Sequence, residues 1–168
     1  MTVLVLTIVG DDRAGLVASV SRTIADHGGN WERSELAELA GTFAGVVEVV
    51  VPDAAAAGLR GALAALEGAL TVTVHENRDA AERAGVELTF TVLGNDSPGI
   101  VRELSGALEA HGLSIDHLST ETRDAAMAGG RLFEATFTAR MPAGRDAGDV
   151  RDALESVAAE LQVDVTVS

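Results

Sequence analysis

The 168-residue sequence predicts an α+β fold built from two copies of one small module. Residues 10–17 read GDDRAGLV, and residues 94–101 read GNDSPGIV. Each phrase follows an apolar, β-branched run and precedes apolar residues at helical spacing. The two copies keep a constant offset of 84 positions through the predicted helix, from residues 15–27 to residues 99–111. A His-Gly pair closes the helix in both copies. The chain therefore looks like a tandem duplication.

The first copy predicts six elements. Apolar residues at helical spacing predict each helix, and the glycines after His27 can adopt the left-handed conformation that ends one. Pro52 breaks the third strand. The predicted elements are a strand over residues 2–9, a helix over 16–27, strands over 30–39 and 43–51, a helix marked by Leu59, Ala62, Leu63, Leu66 and Leu70, and a strand over 71–76.

The second copy repeats this order, with extra residues in a turn at 124–130. Residues 77–85 are polar and lack an apolar stripe, so they predict a linker between domains at 1–76 and 86–168. The predicted elements are a strand over residues 86–93, a helix over 99–111, a strand from 113, a strand over 131–140, a helix over 146–161 and a strand over 163–167.

A βαββαβ order with right-handed crossovers gives a ferredoxin-like fold, in which both helices cover one face of a four-stranded antiparallel sheet. The other face is left bare. In residues 3–9, the odd-numbered and the even-numbered positions are both apolar, so both faces of this strand are apolar. In residues 86–92, by contrast, Glu87, Thr89 and Thr91 alternate with apolar residues. We expect the edge or open face of the first sheet to be covered by another surface, within the chain or between chains.

Composition excludes several functions. The formal net charge is −14, which opposes direct binding to nucleic acid. No Cys, Lys or Tyr is present, which removes thiolate and Schiff-base chemistry, and His75 and His117 lack metal-ligand spacing. No apolar run approaches the ~20 residues that span a bilayer, and no hydrolase, zincin or dinucleotide motif occurs. The sequence predicts a cytoplasmic, non-enzymatic protein without cofactor or metal.

The repeated phrase could hold an anion. Asp12, and Asp96 or Ser97 in the second copy, are predicted helix N-caps, with Pro98 at the first helical position. Backbone N–H groups at Gly15-Leu16 and Gly99-Ile100 then face outward at the positive end of a helix dipole, where a carboxylate binds well. The alternative is a capped turn with a packing glycine and no ligand.

With the Asp-Arg-x-Gly and Asp-Ser-Pro-Gly loops and Gly-Gly-Asn30 entering the second strand, the chain resembles tandem ACT domains. The stand-alone pair is most similar to the glycine cleavage system transcriptional repressor family. The resemblance implies a regulatory module that binds a small amino acid, such as glycine or serine, at an interface between ACT domains. The implied ligand-binding residues are Asp11, Asp12, Arg13, Ala14, Gly15, Leu16 and Asn30 in the first copy, and Asn95, Asp96, Ser97, Pro98, Gly99, Ile100 and Ser114 in the second.

Two positions depart from the family pattern. Ala14 replaces the expected proline, and Ser114 stands where asparagine is common. Two functions therefore stay open. The first is an amino-acid-sensing regulator, expected as a homodimer, that acts through a protein partner. The second is a protein-interaction adaptor that uses its ACT domains only for dimerisation.

Overall fold

A computed structural model describes residues 1–66, 68, 70–76, 84–125 and 130–168. The chain divides into two compact units, Met1–Ala81 and Glu82–Ser168, called unit 1 and unit 2 below. Most of the predicted linker, residues 77–83, lies outside the described residues, and so do residues 126–129 of the predicted turn. The limits of the two domains stay a prediction.

Unit 1 has the predicted βαββαβ order. Its sheet has the strand order β2-β3-β1-β4, and every pairing is antiparallel. A short 3-10 turn, Asp53–Ala55, precedes the second helix. The elements are β1 (Thr2–Asp11), α1 (Leu16–Asp26), β2 (Asn30–Leu39), β3 (Thr42–Val51), α2 (Ala56–Ala64) and β4 (Thr71–Glu76).

Unit 2 repeats the architecture with the equivalent strand order β6-β7-β5-β8. The two antiparallel sheets with their four helices confirm the predicted α+β class and the pair of ferredoxin-like folds. The elements are β5 (Val86–Asn95), α3 (Ile100–Ala110), β6 (Ser114–Asp124), β7 (Arg131–Met141), α4 (Ala147–Leu161) and β8 (Val163–Val167).

Each sheet buries one face beneath its two helices. In unit 1, Leu4, Leu6 and Ile8 of β1 are at most 1% exposed, and they pack with apolar residues of α1 and α2. In unit 2, the rings of Phe90 and Phe137 stack with centroids 5.1 Å apart in the equivalent core. The alternation of buried and open side chains is that of a sheet with one covered face.

The first helix of each unit ends as predicted. The Nδ1–H of His27 donates to the carbonyl of Thr23 at 2.8 Å, and Gly28 follows in a left-handed conformation at φ +68°. In unit 2, His111 makes the same bond to Ala107 at 2.9 Å. Imidazoles and left-handed glycines both satisfy carbonyls at a helix C-terminus.

The second helix of unit 1 is shorter than predicted. It ends at Ala64, so Leu66 and Leu70 lie beyond it. Gly68, beyond the end of the helix, has a left-handed φ of +98°. Leu70 is nevertheless 3% exposed and belongs to the core.

Gly45 allows β2 and β3 to approach closely. A Cβ there would lie on the backbone carbonyl of Glu35 and 2.8 Å from the Cα of Leu36. We expect Gly45→Ala to lower the free energy of unfolding of unit 1 by about 1–3 kcal/mol, since backbone must move. Trp31 fluorescence during urea unfolding measures this, because the only tryptophan packs against the unit 1 core.

Gly61→Ala is the matched control, because Gly61 lies on α2 with open space around a Cβ. This variant should raise stability by roughly 0.5–1 kcal/mol, since alanine restricts the unfolded chain. Equal effects of the two substitutions would contradict the close approach at Gly45.

Asp53 joins the start of β1 to the turn before α2. Its carboxylate accepts hydrogen bonds from the Thr2 hydroxyl at 2.7 Å and from the terminal ammonium at 3.0 Å. These bonds, with the positive charge of the ammonium, lower the pKa of Asp53 below its ordinary value of 3.8.

A lowered pKa stabilises the folded state above pH 3.8, and this stabilisation disappears as the pH falls through the folded-state pKa. Asp53→Asn should therefore lower the unfolding midpoint at pH 7, and the deficit should shrink at acid pH. Urea titrations across that range measure it. Thr2→Val should act in the same direction, and a deficit independent of pH would contradict this account.

Candidate functional site

The loop between β1 and α1, taken with the residue on each side of it, is residues 11–16 and is here called loop 1; the equivalent residues 95–100 between β5 and α3 are called loop 2. The N–H of Asp12 donates to the carbonyl of Gly41 at 2.8 Å. In unit 2, the N–H of Asp96 donates to the carbonyl of Arg131 at 2.8 Å. Loop 1 is thereby held against the turn that joins β2 and β3, and loop 2 against the start of β7.

A left-handed glycine precedes each helix. Gly15 has φ +91° and Gly99 has φ +100°, and their carbonyls accept the N–H groups of Ser19 and Glu103 at 2.9 and 3.0 Å. Side chains with a Cβ resist this conformation, so both positions favour glycine. The repeated glycines of the sequence are therefore conformational requirements.

The predicted N-caps were wrong. Gly15 and Gly99 occupy the cap positions, and no side chain caps α1 or α3. The side chains of Asp12, Asp96 and Ser97 therefore make no cap hydrogen bond to α1 or α3. Pro98 lies two residues before Ile100, where α3 begins, and not at the first helical position.

The uncapped first turn of α1 opens on a groove of about 490 Å³. A Cβ built at Gly15 would have no atom within 4 Å, so a ligand can approach this backbone closely. The groove is lined by Asp12, Arg13, Gly15, Leu16, Val17, Ala18, Ser21 and Phe43.

The lining combines both charges with an apolar wall. Arg13 has no ion-pair partner among the described residues, and Asp12 is exposed beside it. Leu16, Val17 and Phe43 supply the apolar surface. A zwitterion fits this chemistry, with its carboxylate at the helix N-terminus and Arg13, and its ammonium at Asp12.

Sequence analysis did not place Val17, Ser21 or Phe43 at the site. The signals were available, because Val17 and Ser21 are four residues apart on one helix face. Phe43 follows the turn that holds Asp12. The remaining loop 1 residues, Asp11 and Ala14, are exposed beside the groove.

Asn30 does not share this groove. It pairs with Val50, whereas loop 1 follows the opposite end of β1, where Asp11 pairs with Thr42. Eight residue positions separate Thr42 from Val50, a distance of about 26 Å along the strand. Asn30 instead donates to the Glu32 carboxylate at 2.6 Å. Ser114 pairs with Arg140, equally far from Asn95 along its sheet.

Loop 2 has the same backbone with different side chains. Arg102 places a guanidinium nitrogen 3.6 Å from the position of a Cβ at Gly99, and Arg102 also pairs with Glu103. Asp96 is 3.9 Å from Arg131. The surroundings of Gly99 are therefore more crowded than those of Gly15. Asn95, Ser97 and Pro98 are exposed, and Ile100 is buried.

An apolar cleft in unit 2 lies between α3 and the strands, with Val101, Leu118 and Phe133 among its lining residues. Its volume is about 10 Å³. One water molecule needs about that much space, so this cleft is too small for a metabolite.

A family model describes part of the chain, because residues 2–76 match the ACT domain. The match extends over nearly all of unit 1, and unit 2 repeats the fold of unit 1. A crystal structure of an unknown protein from Galdieria sulphuraria matches with a TM-score of 0.88 and 28% identity, covering 99% of this chain and 97% of that one. A tandem pair of ACT folds thus accounts for almost the whole chain.

Among characterised relatives, the chain is similar to the glycine cleavage system transcriptional repressors of Escherichia coli (strain K12) and Shigella flexneri. Identity to each is 25% over 175 residues, covering 98% of this chain and 88% of the relative. A second solved structure, 16% identical with a TM-score of 0.71, has the same fold over 99% of this chain and 96% of its own. The described helices include none long and apolar enough to cross a membrane.

The cap geometry predicts unequal effects of two aspartate substitutions. Asp12→Ala should change stability by less than about 0.5 kcal/mol, because its side chain caps no helix. Asp146→Ala should cost about 1 kcal/mol, because Asp146 accepts the N–H of Gly148 at 2.8 Å and caps α4. Urea unfolding followed by circular dichroism measures both, and a larger loss for Asp12→Ala would contradict the assigned caps.

Proposed function

We propose that the protein is an amino-acid-sensing regulatory protein that binds a small amino acid in the groove of loop 1. The observation that supports this most is the open N-terminus of α1 beside Arg13 and Asp12. The ACT domain match and the similarity to glycine cleavage system repressors support the same class.

The ligand carboxylate accepts hydrogen bonds from the first-turn N–H groups after Gly15 and pairs with Arg13. Backbone donors at a helix N-terminus and a guanidinium both favour a carboxylate. The ligand ammonium pairs with Asp12. Glycine and serine are the proposed ligands. The relatives are named as repressors of the glycine cleavage system, and a small side chain would contact only a small part of the apolar wall formed by Val17 and Phe43.

A complete site requires a second ACT unit. Asn30 lies about 26 Å along the strand from loop 1, so Asn30 and loop 1 of the same unit cannot both contact one small ligand. In the proposed site, the Asn30 end of β2 from a second copy of the chain completes the groove. Binding then couples the ligand to the association of ACT units.

The regulatory output passes to a protein partner in the cytoplasm, without catalysis. The net charge of −14 would repel DNA phosphates, so a transcriptional effect needs an intermediary protein. In the alternative function, an adaptor, the ACT domains only dimerise and no amino acid binds. The departures at Ala14 and Ser114 favour this alternative.

A thermal-shift panel of the twenty amino acids tests the proposal. A ligand at 100 times its Kd should stabilise the protein by about 2.7 kcal/mol, which raises the melting temperature. Arg13→Gln should weaken binding roughly 10-fold to 100-fold, since one charge-assisted bond is lost. Gly15→Val should abolish binding by filling the space beside the backbone.

Arg102→Gln is the matched control, because Arg102 lies beside the equivalent glycine of loop 2. It should leave the shift unchanged if the ligand binds at loop 1. A shift lost in Arg102→Gln but kept in Arg13→Gln would move the site to loop 2. If no amino acid raises the melting temperature, the sensing proposal is wrong and the adaptor function is the one that stands.

A further inference from the structure

The outer face of the unit 1 sheet, opposite its helices, has a largely apolar centre on β1 and β3 between more polar edge strands. Inward residues of β1 and β3 are buried, so the alternate residues of these central strands point outward. Val9 and Val46 remain 43% and 44% exposed. The outward cross-strand pairs are Val3 with Val50, Val5 with Glu48, Thr7 with Val46, and Val9 with Ala44.

The same positions in unit 2 are polar. Of the ten outward residues of β5 and β7, eight are charged or carry a hydroxyl or an amide, and Leu93 and Leu132 are the exceptions. Arg140 on this face binds Asp116 at 3.0 Å and Glu87 at 3.4 Å. The cross-strand pairs are Glu87 with Arg140, Thr89 with Thr138, Thr91 with Thr136, and Leu93 with Glu134.

Because both units have the same strand order and register, the outward residues of unit 1 can be compared with those at the same positions of unit 2. The comparison shows which of them the fold requires. The fold of unit 2 holds with a polar outer face, so the fold of unit 1 does not need its outward valines. Contiguous exposed apolar surface of this kind marks an interaction site.

We propose that the outer face of unit 1 packs against the same face of a second copy of this chain. An apolar face needs an apolar counterpart, and the equivalent sheet face of unit 2 offers threonines and ion pairs. A twofold axis places identical patches together, which supplies that counterpart. β-Branched side chains on both faces interdigitate well between stacked sheets.

The charged groups on this face are compatible with burial of its centre. Glu48 pairs with Arg33 at 2.9 Å, so the carboxylate on the central strand β3 is already neutralised. Glu35, opposite Val46, lies on the edge strand β2 and is exposed, so its carboxylate can stay at the rim. Arg33 lies on the edge strand β2 and is 79% exposed, which lets the guanidinium stay near solvent at the rim. Leu39, 76% exposed and facing outward on β2, extends the apolar surface.

The face is large enough for a specific dimer. Four strands ~4.8 Å apart and nine residues at ~3.3 Å give a surface of about 19 by 30 Å, or roughly 570 Å² per copy. Burying it on both copies removes about 1,100 Å², which exceeds the ~1,000 Å² expected of a biological interface.

Matched substitutions test this surface. Val46 and Thr136 hold the same position in β3 and β7, and both point outward. Sedimentation equilibrium should show that the wild type and Thr136→Glu are dimers at micromolar concentration. Val46→Glu should raise the dimer dissociation constant at least about 100-fold, because symmetry buries two unpaired carboxylates per dimer.

A second variant with smaller changes tests the same surface in case Val46→Glu does not fold. Val5→Thr with Val46→Thr places in unit 1 the residue type that unit 2 carries at both positions, Thr89 and Thr136. Trp31 fluorescence should show folded protein, and dimerisation should weaken about 10-fold or more. Added salt should tighten the wild-type dimer, because it screens repulsion between two chains of charge −14.

A monomeric wild type at micromolar concentration would overturn the proposal, and so would equal dimerisation of wild type and a folded Val46→Glu. Dimers lost with Thr136→Glu but kept with Val46→Glu would place the interface on unit 2. Sedimentation is measured without ligand, so the dimerisation result does not depend on the amino-acid panel, and neither Val46 nor Thr136 lines the groove of loop 1.

Discussion

The antiparallel pairing of β1 with β3 is the constraint on which the rest of unit 1 depends. It runs without a bulge from Thr2 opposite Val51 to Asp11 opposite Thr42. This register sends alternate side chains to the helices and to the outer face. It also ends beside the turn whose Gly41 carbonyl holds the backbone of Asp12. The groove and the apolar outer face are thus two consequences of one pairing.

The two units have the same backbone fold but different side chains on their surfaces. Both units keep the left-handed glycine before the first helix and the histidine bond at its end. Their side chains differ at the points that meet ligand or partner. Unit 1 leaves Gly15 open and its sheet apolar, whereas unit 2 brings Arg102 to Gly99 and covers its sheet with polar groups. This contrast supports separate roles for the two copies within one chain.

Local signals predicted most elements, because strands of alternating or β-branched residues and helices with apolar stripes are set by near neighbours. The prediction failed where a backbone angle decided the outcome. Gly15 takes the cap position predicted for Asp12, and Gly99 takes the one predicted for Asp96 or Ser97. A glycine tolerates both signs of φ, so its letter does not say which it adopts. Of the site, loop 1 was predicted, but Phe43 was not, since it joins the groove through β3.

The sequence by itself determined the duplication, the α+β class and the loops that precede each first helix, because these follow from repetition, periodicity and turn residues. Only the tertiary structure decided that Asn30 and loop 1 lie at opposite ends of the sheet. It also decided that the valines of β1 and β3 meet on one exposed face. Strand pairing between residues distant in the chain fixes both, and no local pattern specifies its register.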